Sequence, residues 1–199
     1  PQASKPYARV PSSSMADDRQ FDQLLSAMRT GAAALRDGGI PFALAGGLAV
    51  YARGGPPTEH DVDFLIREDD RERASEALVD AGFRIEQPPE GWLLKAFGED
   101  EAMIDLIFRP NNKPEVVPRM LDRAGVLEVY AITIPVMTVT DVLATKLLTL
   151  KEHEVDYESV LEITRTCREQ IDWDDLREQT SASPYAKAFF TLADELGLI

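Results

Sequence analysis

Asp61 and Asp63 flank one residue at the start of the run DVDFLI, in which Val62, Phe64 and Ile66 supply the apolar alternation of a strand with one buried face. Alternation turns both carboxylates the same way, their backbones roughly 6–7 Å apart. Two like charges so placed repel little in water and strongly in a partly closed site. A divalent cation removes that cost. Magnesium, which accepts a few carboxylates together with water and phosphate oxygens, suits this donor set. An isolated D-x-D is also what a solvated strand end looks like, so its neighbours decide the reading.

Asp105 is the third acid. It interrupts the apolar strand-like run Met103–Phe108, where a lone charge is unusual unless it is paired with an arginine or binds metal. Together with Asp61 and Asp63 it completes a three-carboxylate set of the kind that holds two metal ions during nucleotidyl transfer. Gly46 and Gly47 follow the strand-like run 40–45 and open a short helix-like segment, Leu48 to Arg53. Glycines between a strand and a helix present backbone N–H groups and the positive end of the helix dipole to an anion, for which triphosphate is the natural guest; a plain tight turn is the competing reading. No G-K-[ST] follows them and no G-x-G-x-x-G is present, so the segment is neither a Walker loop nor a dinucleotide fingerprint.

Thr140 to Leu150 carries an apolar helical stripe at Val142, Leu143, Leu147, Leu148 and Leu150, with Thr140 as the expected N-cap. Lys146 lies between stripe positions. It either snorkels to water or neutralises charge on a metal-bound triphosphate.

The order strand, Gly-Gly, helix, turn, D-x-D strand and later strand aspartate resembles the DNA polymerase β nucleotidyltransferase superfamily. More closely, GGLAVYARGGPPTEHDVDFLI and the segment from Pro135 through Asp141 to Lys146 are similar to minimal nucleotidyltransferases of the AbiEii and MenT toxin type, over about Ile40 to Glu169. The resemblance implies that Asp61, Asp63 and Asp105 are metal ligands and catalytic together with Lys146. It implies that Gly46 and Gly47 hold phosphate, with glycine at 47 where many members have serine, and that Asp156 is a further acid. The nucleotide-binding set is accordingly read as Gly46, Gly47, Arg53, Lys146 and Asp156. The implied reaction is Mg2+-dependent transfer of a nucleoside monophosphate from an NTP such as ATP, at a two-metal site, to an acceptor hydroxyl. An RNA acceptor, a tRNA 3′ end modified by a toxin under the control of an antitoxin protein, is the first expectation. Antibiotic nucleotidyl transfer to an aminoglycoside or lincosamide, modification of a protein, and a catalytically idle interaction module are the alternatives.

These residues need a scaffold to bring them together. The pattern predicts an α+β fold, a mixed β-sheet backed by helices and followed by a C-terminal helical bundle, with the division near Pro135: residues 15–135 as the nucleotidyltransferase core and 136–199 as the helical part. Phe21, Leu24, Leu25 and Met28 form a helical stripe leading to Gly31, and Leu35 continues it toward Gly38-Gly39. A helix is expected at 71–81, strands at 83–86 and 92–97 joined by the Pro88–Gly91 turn, and helices at 138–151, 159–168, 173–178 and 184–196. Residues 1–14, rich in proline, serine and alanine, read as a disordered extension or a non-native remnant, with Met15 as a possible natural start.

The 199-residue chain has a net charge of −14, a field that repels polyanions unless a local basic surface opposes it. Arg109 to Arg123, with Arg109, Lys113, Arg119 and Arg123, is the best candidate for such a surface, Arg165, Arg168 and Lys187 are another, and an ordinary mixed surface is the competing reading. One cysteine, Cys167, excludes internal disulfides, and it is read as a packed thiol; Trp92 and Trp173 are read as core anchors. No apolar run is long enough to span a bilayer, so no membrane association is expected and a cytoplasmic location is the default. His60, beside the D-x-D, is a turn residue within possible reach of nucleotide.

Overall fold

The computed structural model describes residues 15–58, 61–99 and 101–199; the expectations for 1–14 and His60 lie outside the described residues. Seven strands form one mixed sheet in the order β3-β4-β5-β2-β1-β7-β6. They are β1 (Phe42–Leu44), β2 (Val62–Ile66), β3 (Arg84–Glu86), β4 (Leu93–Phe97), β5 (Met103–Ile107), β6 (Gly125–Val129) and β7 (Ile132–Val136). The helices are α1 (Met15–Asp37), α2 (Gly46–Ala52), α3 (Arg71–Asp80), α4 (Val117–Arg123), α5 (Val139–Thr149), α6 (Glu158–Cys167), α7 (Trp173–Gln179) and α8 (Pro184–Glu195). The fold is the α+β arrangement the pattern predicts.

Helix α1 runs unbroken through Gly31. A methyl there would lie 2.6 Å from Ile104 Cδ1 and 3.3 Å from the Phe64 ring, so the absent side chain lets the helix lie directly on β2 and β5. Leu24, Leu25, Met28 and Leu35 of its stripe are buried in the core, at roughly 1.5–3 kcal/mol per side chain. Phe64 and Ile104 therefore face α1, and the period of two turns Asp63 and Asp105 to the other side of the sheet.

Two strands escaped the sequence reading. β6 and β7 form an antiparallel hairpin with Val129 opposite Ile132, turning through Tyr130 (φ 48°) and Ala131 (φ 67°). Both central residues adopt the left-handed conformation that a two-residue hairpin turn demands, but neither is the glycine or asparagine that normally announces one. β7 then pairs in parallel with β1, which joins the hairpin to the sheet centre.

Helix α5 is capped two residues earlier than its apolar stripe suggests. Its N-cap is Thr138, which accepts from the Asp141 N–H at 3.1 Å; Thr140, expected in that role, is buried and accepts from the Asp172 N–H at 2.9 Å. Helices α6, α7 and α8 surround α5. Cys167 is buried as expected, and Trp173 packs against the core from a partly buried position. Trp92 is partly buried at the head of β4 and is not a core anchor.

In the basic stretch 109–123 the three arginines are each paired with an acid. Arg109 pairs with Glu68, and Arg119 and Arg123 of α4 both pair with Asp175 of α7. Arg123 also lies 3.5 Å from Asp141, which is buried in α5. These contacts hold α4 against α5 and α7 and pair the three arginines of the stretch, while Lys113 is exposed.

Candidate active site

Strand register builds the site. β2 and β5 run parallel with Asp63 directly opposite Asp105, and β4 runs antiparallel to β5 with Lys95 directly opposite Asp105. Residues paired across strands share a face, so Asp63, Asp105 and Lys95 form one row across three neighbouring strands. Asp61 precedes β2 and, by alternation, returns to the same face. Oxygens of Asp61, Asp63 and Asp105 lie within 4.8 Å of one another.

The pair Lys95–Asp105 was not foreseen. Lys95 Nζ donates to both carboxylate oxygens, at 2.9 and 3.1 Å. Asp105 does have the ionic partner that a lone acid in an apolar strand calls for, a lysine rather than an arginine, and it remains in the carboxylate cluster. Only 6 % of its surface is exposed. Burial raises the Asp105 pKa above the ordinary range, against the bonds and charge of Lys95, which lower it; Asp61 adds to the rise.

Among the described residues Asp63 has no such partner. Burial first, and then repulsion from Asp61 and Asp105, push its pKa up to about 7 despite the nearby charges of Lys146 and Lys95. Lys146, partly exposed on α5, is therefore close enough for its charge to be felt at the carboxylates. A group held this far from its ordinary state, in a cluster of acids, is a candidate functional group.

The glycine pair is packed against these acids. The Ala45 N–H donates to the Asp63 carbonyl at 2.8 Å, which brings the start of α2 beside β2. Gly46 has φ 55°, and a methyl on it would fall on the Asp63 carboxylate, so conformation and space both require glycine. The N-cap of α2 is Ala45, whose side chain makes no cap bond.

Gly47 is crowded from another direction. A methyl there would lie 2.5 Å from Thr58 Oγ1 and 2.9 Å from Thr58 Cβ, so the space a serine would use is filled by the Thr58 side chain. Gly47→Ser is expected to lower the melting temperature by several degrees, at the roughly 1–3 kcal/mol typical of overpacking. Thr58→Ala in the same chain should restore part of it, because it removes the hydroxyl and methyl but leaves the Thr58 Cβ at 2.9 Å. Thermal unfolding of the two single variants and the double variant checks this, and simple additivity would show that the two positions do not share the space.

Two residues of the expected nucleotide set stand elsewhere. Arg53, at the end of α2, donates from Nε to the Met137 carbonyl at 2.6 Å and from an Nη to the Val136 carbonyl at 2.8 Å; burial lowers its pKa. Its guanidinium ties α2 to the end of β7 instead of pointing at the acids. Asp156 is exposed in the loop before α6, where its carboxylate accepts from the Glu158 N–H at 2.8 Å. It caps a helix start and is outside the carboxylate cluster.

The donor set is chemically suited to a hard divalent cation. Its oxygens converge, and Asp63, uncompensated among the described residues, would lose its repulsion on binding one.

A mixed sheet with this row of acids beside a Gly-Gly helix start defines the nucleotidyltransferase class, and solved structures of that class share the fold. The solution structure of the antibiotic-resistance factor ANT(2″)-Ia aligns with a TM-score of 0.59 at 12% identity, over 89% of this chain and 98% of that one. The crystal structure of ANT(2″)-Ia in complex with adenylyl-2″-tobramycin aligns with a TM-score of 0.57 at 10% identity, over 84% and 99%. The lincosamide antibiotic adenylyltransferase LnuA, lincomycin-bound, aligns more loosely, with a TM-score of 0.43 at 16% identity over 75% and 94%. The chain belongs to the family described as uncharacterised nucleotidyltransferase, whose model matches residues 13–194. No curated protein matches it. It is an enzyme of the nucleotidyltransferase type, and among the described residues no helix is long and apolar enough to cross a membrane.

Proposed function

We propose that the protein transfers a nucleoside monophosphate from ATP or another NTP to a hydroxyl of a small cationic acceptor, with Mg2+. The observation that carries the reading is the row Asp63–Asp105 with Lys95, set against the uncapped start of α2. Asp61 and Asp63 hold the cation, and Gly46 and Gly47 give the triphosphate a close backbone approach. A bound Mg2+ supplies Lewis-acid polarisation of the phosphate and lowers the charge repulsion met by an incoming nucleophile. Asp105 accepts the proton of the acceptor hydroxyl as its oxygen bonds to the α-phosphorus. The bond from that phosphorus to the bridging oxygen breaks, and pyrophosphate leaves with the electron pair. Lys146 offsets the charge that grows on it. In this reading the division near Pro135 separates a catalytic core from a helical part that contributes Lys146.

Charge selects the acceptor. The −14 net charge repels RNA, and the three arginines of the basic stretch 109–123 are paired with Glu68 and Asp175. An aminoglycoside-like polycation meets the opposite field, and ANT(2″)-Ia, which shares the fold, is an antibiotic-resistance factor. The second reading, a toxin that modifies a tRNA 3′ end and is held by an antitoxin, is favoured by the likeness of the D-x-D and Lys146 segments to such enzymes. Incubation with Mg2+, each α-labelled NTP, total tRNA and an aminoglycoside panel separates the two. Label on the cationic small molecule is expected; label on tRNA supports the toxin; label on neither overturns both.

A further inference from the structure

Lys95 has a place in the site for which nucleotidyl transfer to an acceptor hydroxyl does not by itself account. Its ammonium donates to both oxygens of Asp105 and approaches Met103 Sδ at 3.3 Å. The side chain starts from the middle of β4, opposite Asp105 in register, so the contact is fixed by two strands and not by a free loop. Asp61 and Asp63 have no cation paired with them among the described residues. The three carboxylates are therefore unequal. One carries a resident positive charge and two do not.

Neutrality gives the same division. With the directly bonded Lys95 counted and the more distant Lys146 left aside, the three acids leave two negative charges, which one divalent ion cancels. A second ion seated on Asp105 would have to displace an ammonium from a carboxylate that is 6 % exposed, and would leave that lysine partly buried without its partner. We propose, on the basis of the nucleotidyl-transfer reading, that Lys95 takes the place of a second metal ion: the centre binds one divalent cation, at Asp61 and Asp63, and Lys95 is the positioning residue for Asp105. Lys95 keeps its own protons throughout. The proton released by the acceptor goes to Asp105, whose orientation Lys95 holds through two hydrogen bonds.

The test is a titration of the full chain with Mn2+ in the presence of a non-hydrolysable α,β-methylene ATP, followed by electron paramagnetic resonance and by the count of bound ions. The wild type is expected to show the spectrum of an isolated ion up to saturation. Lys95→Met frees Asp105 and is expected to double the bound Mn2+ and give the exchange-coupled spectrum of a pair. A coupled pair in the wild type overturns the proposal, and so does an isolated ion in both proteins. Lys95→Gln, neutral but polar, serves in the same way if the methionine variant does not fold. Failure of the wild type to bind either the analogue or Mn2+ overturns the nucleotidyl-transfer reading itself, an outcome distinct from binding with the wrong stoichiometry.

Discussion

Asp105→Asn is expected to lower the rate of nucleotidyl transfer by about 10²–10⁴-fold, the usual contribution of a positioned general base, while the protein stays folded. The amide oxygen can still accept from Lys95, whose ammonium is 2.9 and 3.1 Å from the native carboxylate oxygens, so the row across β2, β5 and β4 keeps its middle member. What the amide cannot do is take a proton. The change should therefore fall on kcat, with little movement in the affinity for the NTP, because Asp105 is assigned to the acceptor's proton and not to the triphosphate. Transfer of labelled nucleoside monophosphate, read beside a circular-dichroism melt, checks the separation. Full activity in the variant would remove Asp105 from the mechanism, and loss of the fold would show that the ion pair with Lys95 is chiefly structural.

The second large effect is a pH-dependent stability that Mg2+ erases. The Asp63 carboxyl is pushed up to about 7 in the fold, whereas an unfolded aspartate titrates near 4. Between these values the folded chain binds more protons than the unfolded one, so stability falls as pH rises through the interval. The loss is complete above pH of about 7 and amounts to at most about 4 kcal/mol, at roughly 1.4 kcal/mol per pH unit. The Asp105 shift has the same sign. A divalent cation binds the ionised cluster and should restore the loss. Added Mg2+ is expected to raise the melting temperature by several degrees at pH 8 and hardly at all at pH 5. Asp63→Asn should stabilise the metal-free protein at pH 8, flatten its pH profile and reduce the Mg2+ response. A Mg2+ effect equal at both pH values would contradict the assignment of Asp63.

The acids were legible in the sequence because their signals are local. Alternation fixes the common face of Asp61 and Asp63, and a lone aspartate in an apolar strand draws attention wherever it occurs. Lys95 gave no such signal. In WLLKAF a single lysine suits any half-exposed strand, and its meaning depends on the antiparallel register between β4 and β5, which pairing across the sheet decides. The β6–β7 hairpin was hidden for a different reason, since Tyr130 and Ala131 turn the chain without the residues that usually do so. Arg53 reads as a phosphate ligand because it ends a helix that begins with Gly-Gly, yet its partners are carbonyls more than eighty residues away. Charge counting along the chain likewise leaves Arg119 and Arg123 open between a basic patch and a mixed surface, because their acid comes from α7. Short-range periodicity reports which face a residue occupies; it does not report who meets it there.

Arg53 also bears on how substrates enter. Its guanidinium clamps the end of α2 to the Val136 and Met137 carbonyls, just before the helix that carries Lys146, and the Gln170 side chain donates in turn to the Arg53 carbonyl at 2.8 Å. The two walls assigned to the triphosphate are thus joined through two partly buried guanidinium bonds to carbonyls, which a swing of either wall would have to break. Any breathing that admits an acceptor and lets pyrophosphate go must occur at another edge of the site, with this joint as the fixed frame.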